Sequence, residues 1–213
     1  MQTLTLAVHA HASDLEACLD LINSAELTDG VPDEHLPTVD DAVEFFRLRG
    51  LGDEAALREQ ARPDAPGWLE RVYAGRAALR EIWDAQVEGR PPSGQAIASV
   101  NGLLVNTPRL ELRRAPAGVT VALRHTEGDP LGESLARTAE PLVTAIAVGD
   151  TDRFRVCAND GCRWVFEDSS RGGRRRWCDM ATCGNRAKVR RYRSRHRDAP
   201  GDEPPAAGRA ASA

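Results

Sequence analysis

Four of the five cysteines in the 213-residue chain stand in one stretch, Cys157-x4-Cys162, then fifteen residues, then Cys178-x4-Cys183. Two close pairs of thiols separated by a hairpin-length segment can converge on one ion without straining the chain. Zinc has no directional d-electron preference and accepts four thiolates tetrahedrally. The spacing therefore predicts one Zn2+ held by Cys157, Cys162, Cys178 and Cys183. Four protein ligands close the shell and leave no position for water or substrate, so the expected role is structural and not catalytic. A segment this small buries too little surface to fold by itself, and metal binding would supply folding free energy of the order of 10 kcal/mol. An odd cysteine total disfavours a complete disulfide framework and points to a reducing, cytoplasmic compartment. Cys18, alone in an apolar helical pattern, reads as a buried small hydrophobe.

The residues around the thiols suggest how they are positioned. Asn159-Asp160-Gly161 is turn chemistry for a knuckle between the first pair, and Arg163 to Glu167 is strand-like. Asp168-Ser169-Ser170 and Gly172-Gly173 are turn-formers, with Arg174 to Trp177 expected as the returning strand. After Cys183 the run from Gly184 to Arg197 has no proline and suits a helix of about four turns. Val189, Tyr192 and His196 make a narrow seam on it, expected to lean on the zinc hairpin. Arg186, Lys188, Arg190, Arg191, Arg193, Arg195 and Arg197 surround the rest, with no acid before Asp198. Like charges at i, i+4 destabilise a helix unless anions share its surface.

The net charge of −4 hides this asymmetry. Residues 1–150 hold 13 arginines and 24 acids, a balance of −11, whereas residues 151–197 hold 14 basic residues and five acids, a balance of +9. Codon bias towards arginine would act on both segments, so the local enrichment needs a local cause. Part of it can offset the formal −2 of a zinc tetrathiolate, through residues such as Arg163 and Arg176. The remainder points to an anionic partner. Arg174, Arg175, Arg186, Lys188, Arg190, Arg191, Arg193, Arg195 and Arg197 are the candidate nucleic-acid contacts, with double-stranded DNA the expected partner. The same surface would also hold RNA or an acidic protein, including the chain's own acidic segment.

The elements that must carry this module are read from periodicity. Residues 1–150 are expected to be mainly α, with start signals at Ser13-Asp14, Thr38 with Asp41, Asp53-Glu54 and Ser93, and the first helix running to about Ala25. The longest helix is expected from about Pro66 to Glu88, with Leu69, Val72, Tyr73, Arg76, Leu79, Ile82, Trp83 and Val87 as its stripe. The short helix from Ser93 should bury Ile97, Val100 and Leu104. Leu110 to Arg113 and Val119 to Leu123 alternate around Ala115-Pro116-Ala117-Gly118, which predicts one small β-hairpin covering a face of the helices. A last helix, about Leu131 to Val148, leads to Gly149-Asp150 as a linker, and the tail 198–213 should be disordered. The fold class is thus mainly α with a small β-hairpin over 1–150, followed by a small α+β zinc-ribbon or treble-clef-like module over 151–197.

No Gly-rich phosphate loop or nucleophile elbow occurs, and no catalytic residue is assigned; an enzyme is not expected. His9, His11 and His125 stand without a partner cluster. The start has no basic n-region, and the longest later apolar run, Leu142 to Val148, is too short to cross a bilayer, so no membrane association is expected.

The residues Cys157-x4-Cys162-x-Trp164-Val165-Phe166-x-Asp168-x-Ser170 and Arg175-Arg176-Trp177-Cys178-x4-Cys183-Gly184-Asn185-Arg186-x-Lys188 resemble the CGNR zinc-finger family, named for the tetrapeptide here at 183 to 186. The helical part is similar to that family's N-terminal domain at Cys18 to Ser24 and Arg76 to Glu81, with Ser24 standing where the family tends to have Thr. The resemblance covers about residues 15 to 197. It implies a bacterial, often actinobacterial, stress-induced transcription regulator with a C-terminal zinc-finger DNA-binding module, the four cysteines as zinc ligands and no small-molecule or catalytic site carried over; the expected location is the cytoplasm, in association with the nucleoid. A single finger usually makes a small footprint, which points to a homodimer formed through the helical domain; a small-molecule or protein effector is a further expected partner of that domain.

Overall fold

The structure is a computed structural model that describes residues 15–28, 30–116, 118–125 and 128–197. His9, His11 and the tail expected beyond Asp198 lie outside the described residues. The chain divides into two compact units, Met1–Cys178 and Asp179–Ala213.

In the first unit, helix α1 (Leu15–Asn23) ends where Asn23 and Ser24 turn their side chains to other partners. The chain then enters a hairpin of β1 (Ala25–Thr28) and β2 (Val31–Glu34) in place of the helix expected up to Ala25. These four-residue strands carry Pro32 and several acids and show no alternation, which is why periodicity did not reveal them. Arg76, buried on the long helix, holds the hairpin by two contacts to Glu34 of 2.5 and 2.8 Å and one to the Ser24 hydroxyl of 2.9 Å.

Helix α2 (Val39–Leu48) starts on the expected Thr38/Asp41 capping box, and α3 (Glu54–Ala61) on Asp53, whose carboxylate accepts from the Ala56 N–H. Helix α4 (Ala65–Glu88) begins at Asp64 with Pro66 in its first turn and ends on Gly89 in the left-handed region, φ 65°. Helix α5 (Gly94–Leu104) is capped by Ser93, and α6 (Pro130–Val148) runs from its Asp129 cap to Gly149, φ 75°. Leu15, Cys18, Ile22, Phe46, Leu57, Val72, Leu79, Trp83, Leu135 and Leu142 form one core. Cys18 is fully buried there, and burial pushes its thiol up to about 12. Two residues expected inside, Val87 and Ile97, face solvent; each lies at the rim of its stripe.

The β3 (Arg109–Ala115) and β4 (Gly118–Arg124) hairpin forms as expected, with Leu110 opposite Leu123 and Leu112 opposite Val121. Its apolar face does not cover the helices: Leu110, Leu112, Val119 and Leu123 are exposed.

Gly149-Asp150 is no free linker. The Asp150 N–H donates to Ala145 O, and the Phe154 N–H to Thr151 O, so the end of α6 turns directly into β5 (Phe154–Val156). Strand β5 pairs antiparallel with β6 (Val165–Glu167), and both pack into the helical core. The Phe154 ring stacks on Trp83 at 3.9 Å, and the Trp83 indole N–H donates to Arg155 O at 3.1 Å. Asn23 clasps the other strand: its amide donates to Val165 O and accepts from the Val165 N–H, both at 2.9 Å.

In the second unit a single π-turn (Met180–Gly184) leads into α7 (Asn185–Arg197).

Candidate metal centre

The expected turn at Asn159-Asp160-Gly161 is present. Asn159 O accepts from the N–H groups of Cys162, at 2.8 Å, and of Arg163, at 3.1 Å. Arg163 takes φ 58°, the one non-glycine residue in the left-handed region among those described. The Cys157 N–H donates to Trp164 O at 2.8 Å, which closes the knuckle over the β5–β6 hairpin. The tip of the β1–β2 hairpin braces this knuckle from outside, through a 3.1 Å bond from the Gly30 N–H to Gly161 O.

The return segment differs from expectation. Arg174 to Trp177 is not a strand; the partner of Val165–Glu167 is Phe154–Val156. The segment is held instead by point contacts, the Ala158 N–H to Arg176 O at 2.8 Å and the Arg175 N–H to the Asp168 carboxylate at 2.8 Å. Asp168 is the organiser that spacing alone did not reveal. Fully buried, it also accepts from the Ser170 N–H, and its carboxyl is held down to about 2 by hydrogen bonding from Ser170, then Arg175, with the Arg155 charge adding to the effect.

Several arginines of the basic segment serve this scaffold. Arg153 donates to Asp168 O and Ser170 O, and Arg155 to Asp152 O, Phe154 O and Gly173 O. Arg175 lies over the Phe166 ring and donates to Trp177 O, whereas Arg174 is exposed. These contacts account for part of the local charge excess without any partner.

Cys183 is buried in the π-turn, which Asp179 caps by accepting from the Thr182 N–H and hydroxyl at 2.7 and 2.9 Å. The Sγ atoms of Cys157, Cys162, Cys178 and Cys183 all lie within 4.8 Å of one another. The Cys162 and Cys178 sulfurs are 3.7 Å apart. A tetrahedral ZnS4 unit with Zn–S of about 2.3 Å has sulfur–sulfur edges of about 3.8 Å, so the donor set fits zinc in both chemistry and spacing. These four cysteines bind one zinc ion, and the shell they make is a closed, structural one.

A second group of potential ligands, Glu26, Asp33 and His35, stands on the β1–β2 hairpin. His35 Nε2 lies 3.0 Å from Glu26 and 3.6 Å from Asp33, in a surface cluster in which Glu26 is half-buried. His125, the other histidine singled out among the described residues, has Nδ1 2.8 Å from Glu133. It borders a cleft of about 460 Å3 whose walls include Gly52, Asp53 and Arg137.

Helix α7 forms over the expected run. Arg186, Lys188, Arg190, Arg191 and Arg193 lie on its exposed surface, while Arg195 and Arg197 fall in its last turn. The Val189/Tyr192/His196 seam is not buried: Val189 is 50% and Tyr192 63% exposed, and the Tyr192 and His196 rings lie 3.9 Å apart, tilted by 31°. An open groove of about 510 Å3 runs beside the helix, lined by Thr182, Asn185, Arg186, Val189, Arg190 and Arg193.

A helical domain carrying a four-cysteine zinc module with a basic terminal helix defines a zinc-finger protein. Residues 153–196 match the CGNR zinc finger. Residues 15–149 match the family described as "Putative stress-induced transcription regulator", and the chain belongs to that family. No curated protein matches the chain. Among the described residues no helix is long and apolar enough to cross a membrane.

Proposed function

We propose that the protein is a DNA-binding transcription regulator, acting on the bacterial nucleoid in a stress response. In this reading its zinc module presents α7 to duplex DNA. The observation that carries this is α7 itself: thirteen residues with seven basic side chains and no acid, beside an open groove lined by Arg186, Arg190 and Arg193. Such a helix repels itself in isolation, and a phosphate backbone supplies the anions that relieve the repulsion. Most of these arginines would position the module on phosphates, and one or two could read guanine edges in the major groove. Zinc takes no part in chemistry here; the role is binding, not catalysis.

The test is equilibrium binding of the full zinc-loaded chain to duplex DNA across a salt series, against the Arg190→Ala/Arg193→Ala variant. Each lost phosphate contact lowers the slope of log K on log salt by about 0.9, so the double variant should lose up to about 1.8. An unchanged slope rejects a direct phosphate role for this face. One observation favours a second reading: the exposed Tyr192 and His196 rings, in contact and interleaved with arginine, suit unpaired bases of RNA. Tighter binding to single-stranded RNA than to duplex DNA at equal salt would select it.

A further inference from the structure

The β3–β4 hairpin combines two features that neither the zinc site nor the basic helix uses. Its register places Leu110 opposite Leu123, Leu112 opposite Val121, and Val119 opposite Arg114. Because side chains alternate along a strand, all five aliphatic residues share one face. That face stands in water: Leu110 is 64%, Leu112 72%, Val119 75% and Leu123 44% exposed. A lone two-stranded hairpin is marginally stable at best, and a contiguous apolar patch of this kind on a folded surface marks a contact site.

The second feature is charge. Residues 109–124 carry four arginines and one acid, a balance of +3, whereas the rest of residues 1–150 carries nine arginines and 23 acids, a balance of −14. Among the described residues, Arg109, Arg114 and Arg124 are exposed and take part in no ion pair, unlike Arg113, which pairs with Glu111. Glu16, Glu70 and Glu140 on α1, α4 and α6 are likewise exposed and without an ion pair.

An arm with surplus arginine and an uncovered aliphatic face, attached to a body with surplus acid, is complementary to a second copy of itself. We propose that the β3–β4 hairpin is a dimerisation arm. Its aliphatic face packs on the same face of a second copy across a two-fold axis, and Arg114, which stands on that face opposite Val119, meets acids of the partner's helical domain. Such an isologous contact covers the same patch on both copies. A nucleic acid fits less well, because it would take up the arginines and leave the four exposed aliphatic side chains in water. This inference does not depend on DNA binding by α7.

The test is the mass of the full zinc-loaded chain in solution, by sedimentation equilibrium over roughly 1 to 100 µM. The parent should approach twice its 23.1 kDa chain mass as concentration rises. Leu112→Glu/Val119→Glu should stay at the single-chain mass throughout, with helical content and zinc stoichiometry unchanged, since both side chains already face solvent. Thr120→Glu, on the opposite face of β4, should associate like the parent. A parent that is monomeric over the whole range overturns the proposal, as does a Leu112→Glu/Val119→Glu variant that still dimerises. Loss of duplex binding by that variant with no change in mass would also overturn it, and would assign the hairpin to nucleic acid.

Discussion

Replacing Asn23 by Ala tests how the zinc hairpin is held on the helical domain. The Asn23 amide satisfies both backbone groups of Val165, donating to its carbonyl and accepting from its N–H at 2.9 Å each. Asn23 is only 4% exposed, and Val165 is fully buried. Alanine would leave one donor and one acceptor without partners in a site closed to water, at about 1 to 3 kcal/mol each. Its better helix propensity at the end of α1 returns only a few tenths of a kcal/mol. The expected net loss is therefore about 2 to 5 kcal/mol, a large share of the stability of an ordinary domain. The assay is guanidinium unfolding of the zinc-loaded full chain, followed by tryptophan fluorescence, because Trp83 stacks on Phe154 of the same hairpin. Asn23→Asp should not restore stability: a carboxylate keeps the acceptor but loses the donor and buries a charge. An Asn23→Ala protein within about 0.5 kcal/mol of the parent would refute the reasoning, since that is the range of a surface substitution.

Removing one zinc ligand should be more severe. Cys178→Ser should reduce bound zinc well below one per chain by metal analysis and abolish the ordered structure of the 157–183 module; full zinc retention would reject the four-cysteine assignment. Asp168→Asn replaces a carboxylate that accepts from two backbone N–H groups by an amide with one acceptor, and should lower stability at neutral pH. The native carboxyl is depressed to about 2, so its contribution is present above the ordinary carboxylate value and is lost as pH falls towards the native one. The parent's advantage over Asp168→Asn should therefore be level from pH 7 to about 4 and shrink below that; an advantage that grows on acidification would contradict it.

Local chemistry was largely legible in the sequence. The two thiol pairs, the Asn159-Asp160-Gly161 turn, the caps at Thr38, Asp53 and Ser93 and the alternation of the β3–β4 hairpin all depend on spacing or on neighbouring residues, and the chain folds as they indicate. The proline-free basic run after Cys183 likewise becomes α7. What required the tertiary structure was every choice between partners far apart in the chain. Phe154 and Val165 belong to the helical core through Trp83 and Asn23, 71 and 142 residues away, although composition sets the segment from 151 onward apart. The strand opposite Val165–Glu167 comes from before Cys157 and not from after Gly173, because buried Asp168 holds the later segment in an irregular turn. A two-residue period shows that β3 and β4 have an apolar face, but only packing decides whether a helix covers it, and here none does. Spacing specifies a ligand set or a cap because the chain itself brings those groups together; which distant surface buries a given face depends on the summed shape of all the others.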